Sequence, residues 1–243
     1  NNNLLYHGCI PMTKDGEFAE YDVSGVRVSG KALLDRAEQI ARIGYFGKSH
    51  SPEKRYGQDF LWYLWCGAGS PVYGKNKMTS FERYFIDDKD TWTEIKDPYY
   101  EHINSVSTCK KILTEFGVNP DGFSHIINGH VPVIIKKGEK PIRAGGKLLV
   151  IDGGLSRAYQ EKTGIAGYTL LFNSHGLLLS EHEAFESVKN AIKEDTDIHS
   201  TLETVESAPQ RLLVKDTDLG AMLKQKIDDL HALVKAMKEG VVK

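Results

Sequence analysis

The sequence predicts a fold of the α/β or α+β class, in which short apolar strands and amphipathic helices alternate. Residues 124–128 predict a strand that ends at Gly-His, and residues 147–151 predict a second strand that ends at Asp-Gly-Gly. Runs of this length bounded by glycine are typical of strands in a sheet. Residues 29–43 carry apolar side chains at helical spacing instead. The 243 residues suffice for one large domain or two small ones.

The N-terminal elements follow one another as a strand, a hairpin and three helices. Residues 4–7 predict a short buried strand, because an apolar run there stops at a glycine. Turn signals in residues 12–28 predict a hairpin. Apolar periodicity predicts three helices: Ser29 to Ile43, closed by Gly44; residues 53–66; and residues 101–116, closed by Gly117.

The C-terminal elements are a hairpin, a polar segment and one long helix. Residues 167–180 predict a hairpin around residues 174–176. Polar and charged residues then dominate, so we divide the chain into regions 1–181 and 182–243. A helix capped by Thr217 or Asp218 extends to Lys238, with Leu219, Met222, Leu223, Ile227, Leu230, Leu233, Val234 and Met237 on one face. We expect this face to pack on its own domain, with a contact to a partner or to a second copy as the alternative.

Composition excludes several classes of function. The formal net charge is −2, so no basic excess favours nucleic acid or an anionic membrane. No apolar run approaches the ~18 residues that a membrane span needs. Three cysteines are an odd number, which argues against a disulfide framework, and no signal peptide is visible. These features predict a reducing, cytoplasmic location.

The first residues are unusual for a natural start. The chain lacks an initiator Met and enters a strand-like run after three asparagines. We therefore expect a fragment whose upstream sequence is missing, with a mature N-terminus after processing as the alternative.

Two histidines stand beside glycine at strand ends. His7 precedes Gly8, and His130 follows Gly129. Ligands bind at such strand ends in α/β sheets, and a neutral imidazole can bind a metal. A structural role for each histidine is the alternative. Cys9 lies near His7, but no residue supplies the orienting group that a Cys–His nucleophile requires, so a buried apolar role is favoured.

Three cations surround a glycine-rich loop. Lys75, Lys77 and Arg83 could hold a phosphate group, although a solvated charged loop fits the same pattern. No P-loop motif is present. Asp152 follows a strand in either an active-site rim loop or a tight turn, and Asn128 ends the strand before His130.

Several long blocks of the chain match one family in order. Together they closely resemble the class III fructose-1,6-bisphosphatases of Firmicutes. The blocks are LLYHGCIP (4–11), WYLW (62–65), MTSFERYFI (78–86), IINGHVPV (126–133), VIDGGLS (150–156), AYQ (158–160) and TGIAGYTLL (163–171).

The resemblance implies a calcineurin-like metallophosphatase: a β-sandwich flanked by helices, with a pair of divalent metal ions, Mn²⁺ by expectation, at the strand ends. It implies that His7 and His130 bind the same metal ion and that Asn128 and Asp152 lie near the site. Val131 stands where the family usually has Thr. The implied substrate is a sugar bisphosphate, whose 1-phosphate is hydrolysed in gluconeogenesis.

The family's Asp-x-His, Gly-Asp-x-x-Asp-Arg-Gly and Gly-Asn-His-Asp motifs are absent from these 243 residues. We therefore expect the C-terminal part of such an enzyme, inactive by itself, and assign no catalytic residue. Two alternatives remain: a metallophosphatase acting on a phosphoprotein or a dinucleoside polyphosphate, and a non-catalytic module for partner binding or dimerisation.

Overall fold

The computed structural model describes residues 3–184, 187–195 and 199–242. Asn1 and Asn2 of the unusual start, residues 185, 186 and 196–198 of the predicted polar segment, and Lys243 lie outside the described residues. Helices and strands alternate along the chain, so the predicted mixture of helix and sheet is confirmed.

The strands are short and belong to three sheets. In chain order they are β1 (Leu4–Leu5), β2 (Tyr21–Val23), β3 (Val26–Val28), β4 (Ile126–Asn128), β5 (Ile142–Arg143), β6 (Leu148–Val150), β7 (Gly167–Asn173), β8 (Gly176–His182) and β9 (Ser200–Ser207). The helices are α1 (Gly30–Phe46), α2 (Pro52–Cys66), α3 (Ser80–Phe85), α4 (Tyr99–His102), α5 (Val106–Glu115), α6 (Arg157–Thr163), α7 (Val188–Glu194) and α8 (Asp218–Lys238).

The central sheet determines where the candidate site lies. Its strand order is β1-β4-β6-β5, and β1, β4 and β6 run parallel while β5 is antiparallel. β1 is less buried than predicted, because Leu5 at this edge of the sheet is 67% exposed. Since parallel strands end at the same edge, the turns that follow β1, β4 and β6 lie next to one another.

The central sheet lies between a helical layer and a second sheet. Ile126 and Leu148 on one face pack with Ile112 of α5 in the main core. Ile127 and Leu149 on the other face pack with Leu177 of β8. Successive side chains of a strand point to opposite faces, so these continuous apolar strands are buried on both sides.

The predicted end of the first helix is wrong. α1 continues past Gly44 to Phe46, and Gly44 instead lies where α1 crosses α2. A Cβ atom on Gly44 would lie 2.5 Å from the carbonyl carbon of Gly57. This glycine is therefore explained by the close approach of two backbones rather than by a helix C-terminus.

Two further differences concern residues 101–116 and the polar segment. The single predicted helix is divided into α4 and α5, because Ser105 adopts an extended backbone and caps α5 by accepting a hydrogen bond from the amide of Thr108. The polar segment contains β9, which pairs antiparallel with β8. β9 is polar and mostly exposed, so hydrophobic periodicity gave no signal for it.

The predicted C-terminal helix is confirmed, and the described residues leave its apolar face uncovered. Thr217 caps α8, accepting a hydrogen bond from the amide of Gly220. The apolar face of α8 is 44–59% exposed, and within the described part of the chain α8 contacts mainly Val214–Asp216 at its base. The spacing of apolar residues thus predicts that α8 is a helix. Burial of its apolar face requires a surface that the described residues do not supply. None of the described helices is long and apolar enough to cross a membrane.

A candidate metal centre at the strand edge

Three candidate side chains occupy equivalent positions in the central sheet. His7, His130 and Asp152 each come two residues after the last residue of their strand, β1, β4 and β6 respectively. Because these strands are parallel, the three turns meet at one edge. The amide of Gly129 donates a hydrogen bond to the carbonyl of His7 at 3.2 Å, which connects the two histidine-bearing turns directly.

The two imidazoles contact each other at this edge. Nε2 of His7 lies 2.9 Å from Nδ1 of His130, and Nε2 of His130 lies 2.9 Å from the carbonyl oxygen of Tyr73. A carbonyl only accepts hydrogen bonds, so Nε2 of His130 carries a proton and donates it. In a neutral ring Nδ1 is then the acceptor, and Nε2 of His7 donates to it. The backbone carbonyl of Tyr73 therefore assigns the tautomers: both His130 and His7 carry a proton on Nε2.

His130 favours its neutral form. Burial lowers the pKa of His130 below its usual value, and the neighbouring His7 and Lys75 lower it further, whereas the Tyr73 carbonyl and Asp152 oppose them. The neutral imidazole is the form that binds metal ions. At neutral pH this side chain is consequently a ready nitrogen donor.

A buried polar chain lies next to the histidines. The side-chain amide of Asn128 donates to the hydroxyl of Tyr99 at 2.8 Å, and that hydroxyl lies 2.7 Å from the hydroxyl of Tyr6. Oδ1 of Asn128 is buried and has no hydrogen-bond partner among the described residues. A buried, unpaired acceptor is costly, and at this edge it is one that a ligand could satisfy.

Asp152 shapes the turn after β6. Its Oδ1 accepts a hydrogen bond from the amide of Gly154 at 2.9 Å, and its backbone carbonyl accepts one from Val133 at 2.8 Å. Asp152 thus holds a tight turn that also lies on the rim of the strand edge, so the two interpretations of this loop describe one arrangement.

Of the three predicted cations, Lys75 and Lys77 lie in the loop and Arg83 lies in α3, and all three contact acceptors of the protein. Nζ of Lys75 lies 2.6 Å from Oε2 of Glu94, and Nζ of Lys77 donates to the carbonyl of Thr91. Arg83 donates to the hydroxyl of Thr79 and to the carbonyl of Trp92. Each cation retains further N–H groups, because an ammonium has three and a guanidinium five.

Glu94 is the acceptor around which this loop is organised. Its side chain is only 18% exposed, and burial would raise its pKa. The hydrogen bonds from Lys75 and from the amide and hydroxyl of Thr79 outweigh burial and lower the pKa of Glu94 to about 2. The carboxylate is therefore ionised and paired throughout the physiological range.

Sequence reasoning missed Tyr73, Glu94 and Tyr99. Tyr73 contributes its backbone carbonyl, for which no side-chain pattern exists. Glu94 and Tyr99 approach their partners across 15 and 29 residues of chain, so their roles follow from tertiary structure alone. Cys9 has the predicted buried role: burial raises the pKa of its thiol, which therefore stays protonated.

The donor set is small for a metal site. Within residues 3–184, 187–195 and 199–242, no group of three or more His, Cys, Asp or Glu side chains is arranged to hold a metal ion. The strand edge therefore presents two imidazoles and an unpaired amide oxygen, which suit part of a coordination shell rather than a complete one.

The chain is similar to one family over almost its whole length. The model of that family, the Firmicute fructose-1,6-bisphosphatases, matches residues 1–239. A "Fructose-1,6-bisphosphatase class 3" of Clostridium novyi (strain NT) is 53% identical over 243 residues, which cover 100% of this chain and 36% of that protein. Proteins of the same name from Alkaliphilus metalliredigens (strain QYMF) and Clostridium botulinum (strain Okra / Type B1) are 55% and 52% identical, and this chain covers 37% and 36% of them.

The chain thus spans about a third of the length of these curated relatives and matches their C-terminal part. No solved structure matches. The resemblance predicted from the sequence blocks is confirmed.

Proposed function

The chain belongs to the Firmicute fructose-1,6-bisphosphatase family, and we propose that a protein containing it together with the rest of its relatives' length hydrolyses the 1-phosphate of fructose 1,6-bisphosphate in gluconeogenesis. The observation that carries this proposal is the meeting of two imidazoles at the carboxyl edge of the parallel strands. A cytoplasmic location agrees with three cysteines that are free thiols.

His7 and His130 would hold one ion of a divalent metal pair, with Mn²⁺ as the proposed metal. Nε2 of His7 and Nδ1 of His130 lie 2.9 Å apart, so both could be donors to one ion once the proton between them is released. Nε2 of His130, the ring nitrogen that does not face His7, donates to the Tyr73 carbonyl, which is the outer contact typical of metal-binding histidines.

When bound, the metal pair supplies an activated hydroxide and polarises the phosphoryl oxygens for in-line attack. This chain contributes neutral donors to one ion, and Asp152 and Asn128 shape the edge around it. Hard divalent cations prefer carboxylate oxygens, so two imidazoles without a carboxylate hold them poorly. We therefore expect the 243 residues alone to release no phosphate from the bisphosphate.

The same proposal includes the calcineurin-like sandwich and the substrate contacts. Face-to-face packing of the central sheet on the β7-β8-β9 sheet, with helices on the opposite face, supports that fold. Lys75, Lys77 and Arg83 would use their remaining N–H groups to hold the substrate phosphate that is not cleaved. Lys75 lies close enough to His130 to lower its pKa, which supports a position near the site.

The metal assignment can be tested on the chain itself with Zn²⁺, which imidazole binds better than it binds Mn²⁺. We expect His7→Ala and His130→Ala each to weaken Zn²⁺ binding at least ~10-fold in calorimetric titrations. His231→Ala, on the exposed helix α8, serves as the control. Wild-type affinity in either site variant would exclude that histidine as a ligand.

The substrate is tested on a protein of the relatives' full length. We expect phosphate release from fructose 1,6-bisphosphate to exceed that from a phosphoprotein or a dinucleoside polyphosphate, and His130→Ala to abolish it. If either of the other substrates is preferred, the proposed bisphosphatase activity is wrong and the protein is a metallophosphatase with another substrate.

One observation favours a second candidate function, self-association. Leu223, Ile227, Leu230, Val234 and Met237 are exposed and follow alternating four- and three-residue spacing, with β-branched residues at one position and Leu or Met at the other. This heptad favours two parallel helices. We expect light scattering to give a dimer for the whole chain and a monomer for a chain ending near residue 210. Equal masses would exclude α8 as the dimer contact.

A further inference from the structure

One buried hydroxyl is hydrogen-bonded to both strand ends that bear the histidines. Tyr99 belongs to α4 and is fully buried. Its hydroxyl lies 2.7 Å from that of Tyr6, the residue before His7, and accepts a hydrogen bond at 2.8 Å from Asn128, two residues before His130. A single oxygen atom therefore links the end of β1 to the end of β4. It does so through Tyr6 and Asn128, which precede the two histidines in the sequence.

This oxygen takes part in two side-chain hydrogen bonds inside the core. The Asn128 amide donates one hydrogen bond, and the remaining contact joins the two tyrosine hydroxyls, one as donor and one as acceptor. Burial raises the pKa of both Tyr6 and Tyr99, so both hydroxyls keep their protons. The contact is thus a permanent neutral bridge between the two strand ends.

The turns beyond these strand ends need such support. β1 has only two residues and β4 only three, so few ladder hydrogen bonds determine their relative position. His130 has a φ of 66°, in the left-handed region that a residue with a Cβ adopts at a cost of about 1 kcal/mol or more.

We propose that Tyr99 is a positioning residue, whose hydroxyl fixes the separation of His7 and His130 and thereby the affinity of the imidazole pair for a divalent metal ion. This inference rests on the proposed function in its assignment of the two histidines as ligands. Without the hydroxyl, the amide of Asn128 and the hydroxyl of Tyr6 lose their shared partner inside the core. The two strand ends are then joined near the histidines by backbone hydrogen bonds alone, and the separation of the two imidazole nitrogens is less tightly fixed.

The chain offers a matched control at the next residue. The hydroxyl of Tyr100 is also buried but has no hydrogen-bond partner among the described residues. Tyr99→Phe and Tyr100→Phe therefore each remove one buried hydroxyl from neighbouring residues, and only the first removes the bridge.

Two measurements test the proposal on the 243-residue chain. We expect Tyr99→Phe to weaken Zn²⁺ binding about 10-fold, the effect typical of an outer-shell contact. We also expect it to shift the imidazole nitrogen resonances of His7 and His130 in metal-free protein, because their mutual hydrogen bond changes length. Tyr100→Phe should leave both quantities at their wild-type values.

A third variant separates positioning from a general loss of stability. Ile112→Val removes one methyl group from the same core and lies on α5, away from both turns. If Ile112→Val reproduces the shifts, or if Tyr99→Phe leaves the resonances unchanged, the positioning role is excluded. If wild-type chain binds no Zn²⁺ at His7 and His130, the metal assignment fails, while the metal-free resonances still decide whether Tyr99 positions the two rings.

Discussion

Two polar clusters meet in one loop and differ in how completely their atoms are paired. In the first, both oxygens of Glu94 accept hydrogen bonds, from Lys75 and Thr79. In the second, His130 contacts His7 and the Tyr73 carbonyl, while Oδ1 of Asn128 is buried and has no partner within the described part of the chain. The loop of residues 73–77 contributes to both clusters, through the Tyr73 carbonyl and the ammonium of Lys75.

This difference in pairing indicates that the Glu94 cluster stabilises the fold, whereas the histidine cluster can bind a ligand. A buried polar cluster whose partners are all present stabilises the fold and loses stability when one partner is removed. A cluster with an unpaired acceptor and neutral donors stabilises the apoprotein little, but has capacity for a ligand. Loss of stability and loss of metal binding should therefore follow different substitutions.

The largest loss of stability is expected for Glu94→Gln. This variant leaves Lys75 without its carboxylate partner, which costs about 2–3 kcal/mol of unfolding free energy, at the lower end for buried pairs because both side chains are partly exposed. Urea unfolding measures the change, and Zn²⁺ affinity should stay at the wild-type value. Glu203→Gln, on an exposed strand, is the control. Similar losses in the two variants would mean that the Glu94 cluster contributes nothing beyond a surface charge.

A smaller, pH-dependent loss is expected for the wild-type chain in acid. The folded-state pKa of Glu94, about 2, lies below its ordinary value of 4.5, so the unfolded chain takes up the proton first. The contribution of Glu94 is therefore complete above about pH 4.5 and is lost as the pH falls towards 2. The stability difference between wild type and Glu94→Gln should shrink over this window when urea midpoints are compared. A difference that stays constant would show that the carboxylate is not the group responsible.

The smallest loss of stability is expected for His7→Ala. His7 is exposed and contributes one hydrogen bond to His130, so its removal should lower the unfolding free energy by less than about 1 kcal/mol. The same variant is expected to reduce Zn²⁺ affinity strongly. A stability loss equal to that of Glu94→Gln would show that the imidazole pair is a structural contact and would remove the distinction between the two clusters.

Much of the site was predictable because strand ends are readable in a sequence. His7, His130 and Asp152 each stand next to a glycine at or just beyond the end of a predicted strand, and parallel strands bring such turns together. Tyr99 was not predictable in this way. It lies in a short helix, and its hydroxyl meets Asn128 only because α4 packs under the sheet.

Comparison of two helices shows the same limit for the fold. α5 and α8 both have an apolar face at helical spacing, and both were predicted as helices. The face of α5 is fully buried at Cys109, Ile112 and Leu113, whereas that of α8 remains about half exposed. Periodicity reports which side of a helix is apolar, but it contains no information about the surface that covers that side.

The sequence by itself determined the family, the class of fold, the long helices, the two hairpins and the two histidines at strand ends. These features depend on local composition, on spacing and on blocks of residues that recur in relatives. Only the tertiary structure decided that Gly44 packs on Gly57, that Lys75 is paired with Glu94 and that one tyrosine hydroxyl joins both strand ends. Such contacts join residues distant along the chain, and their energy depends on burial and geometry that arise only when the layers pack.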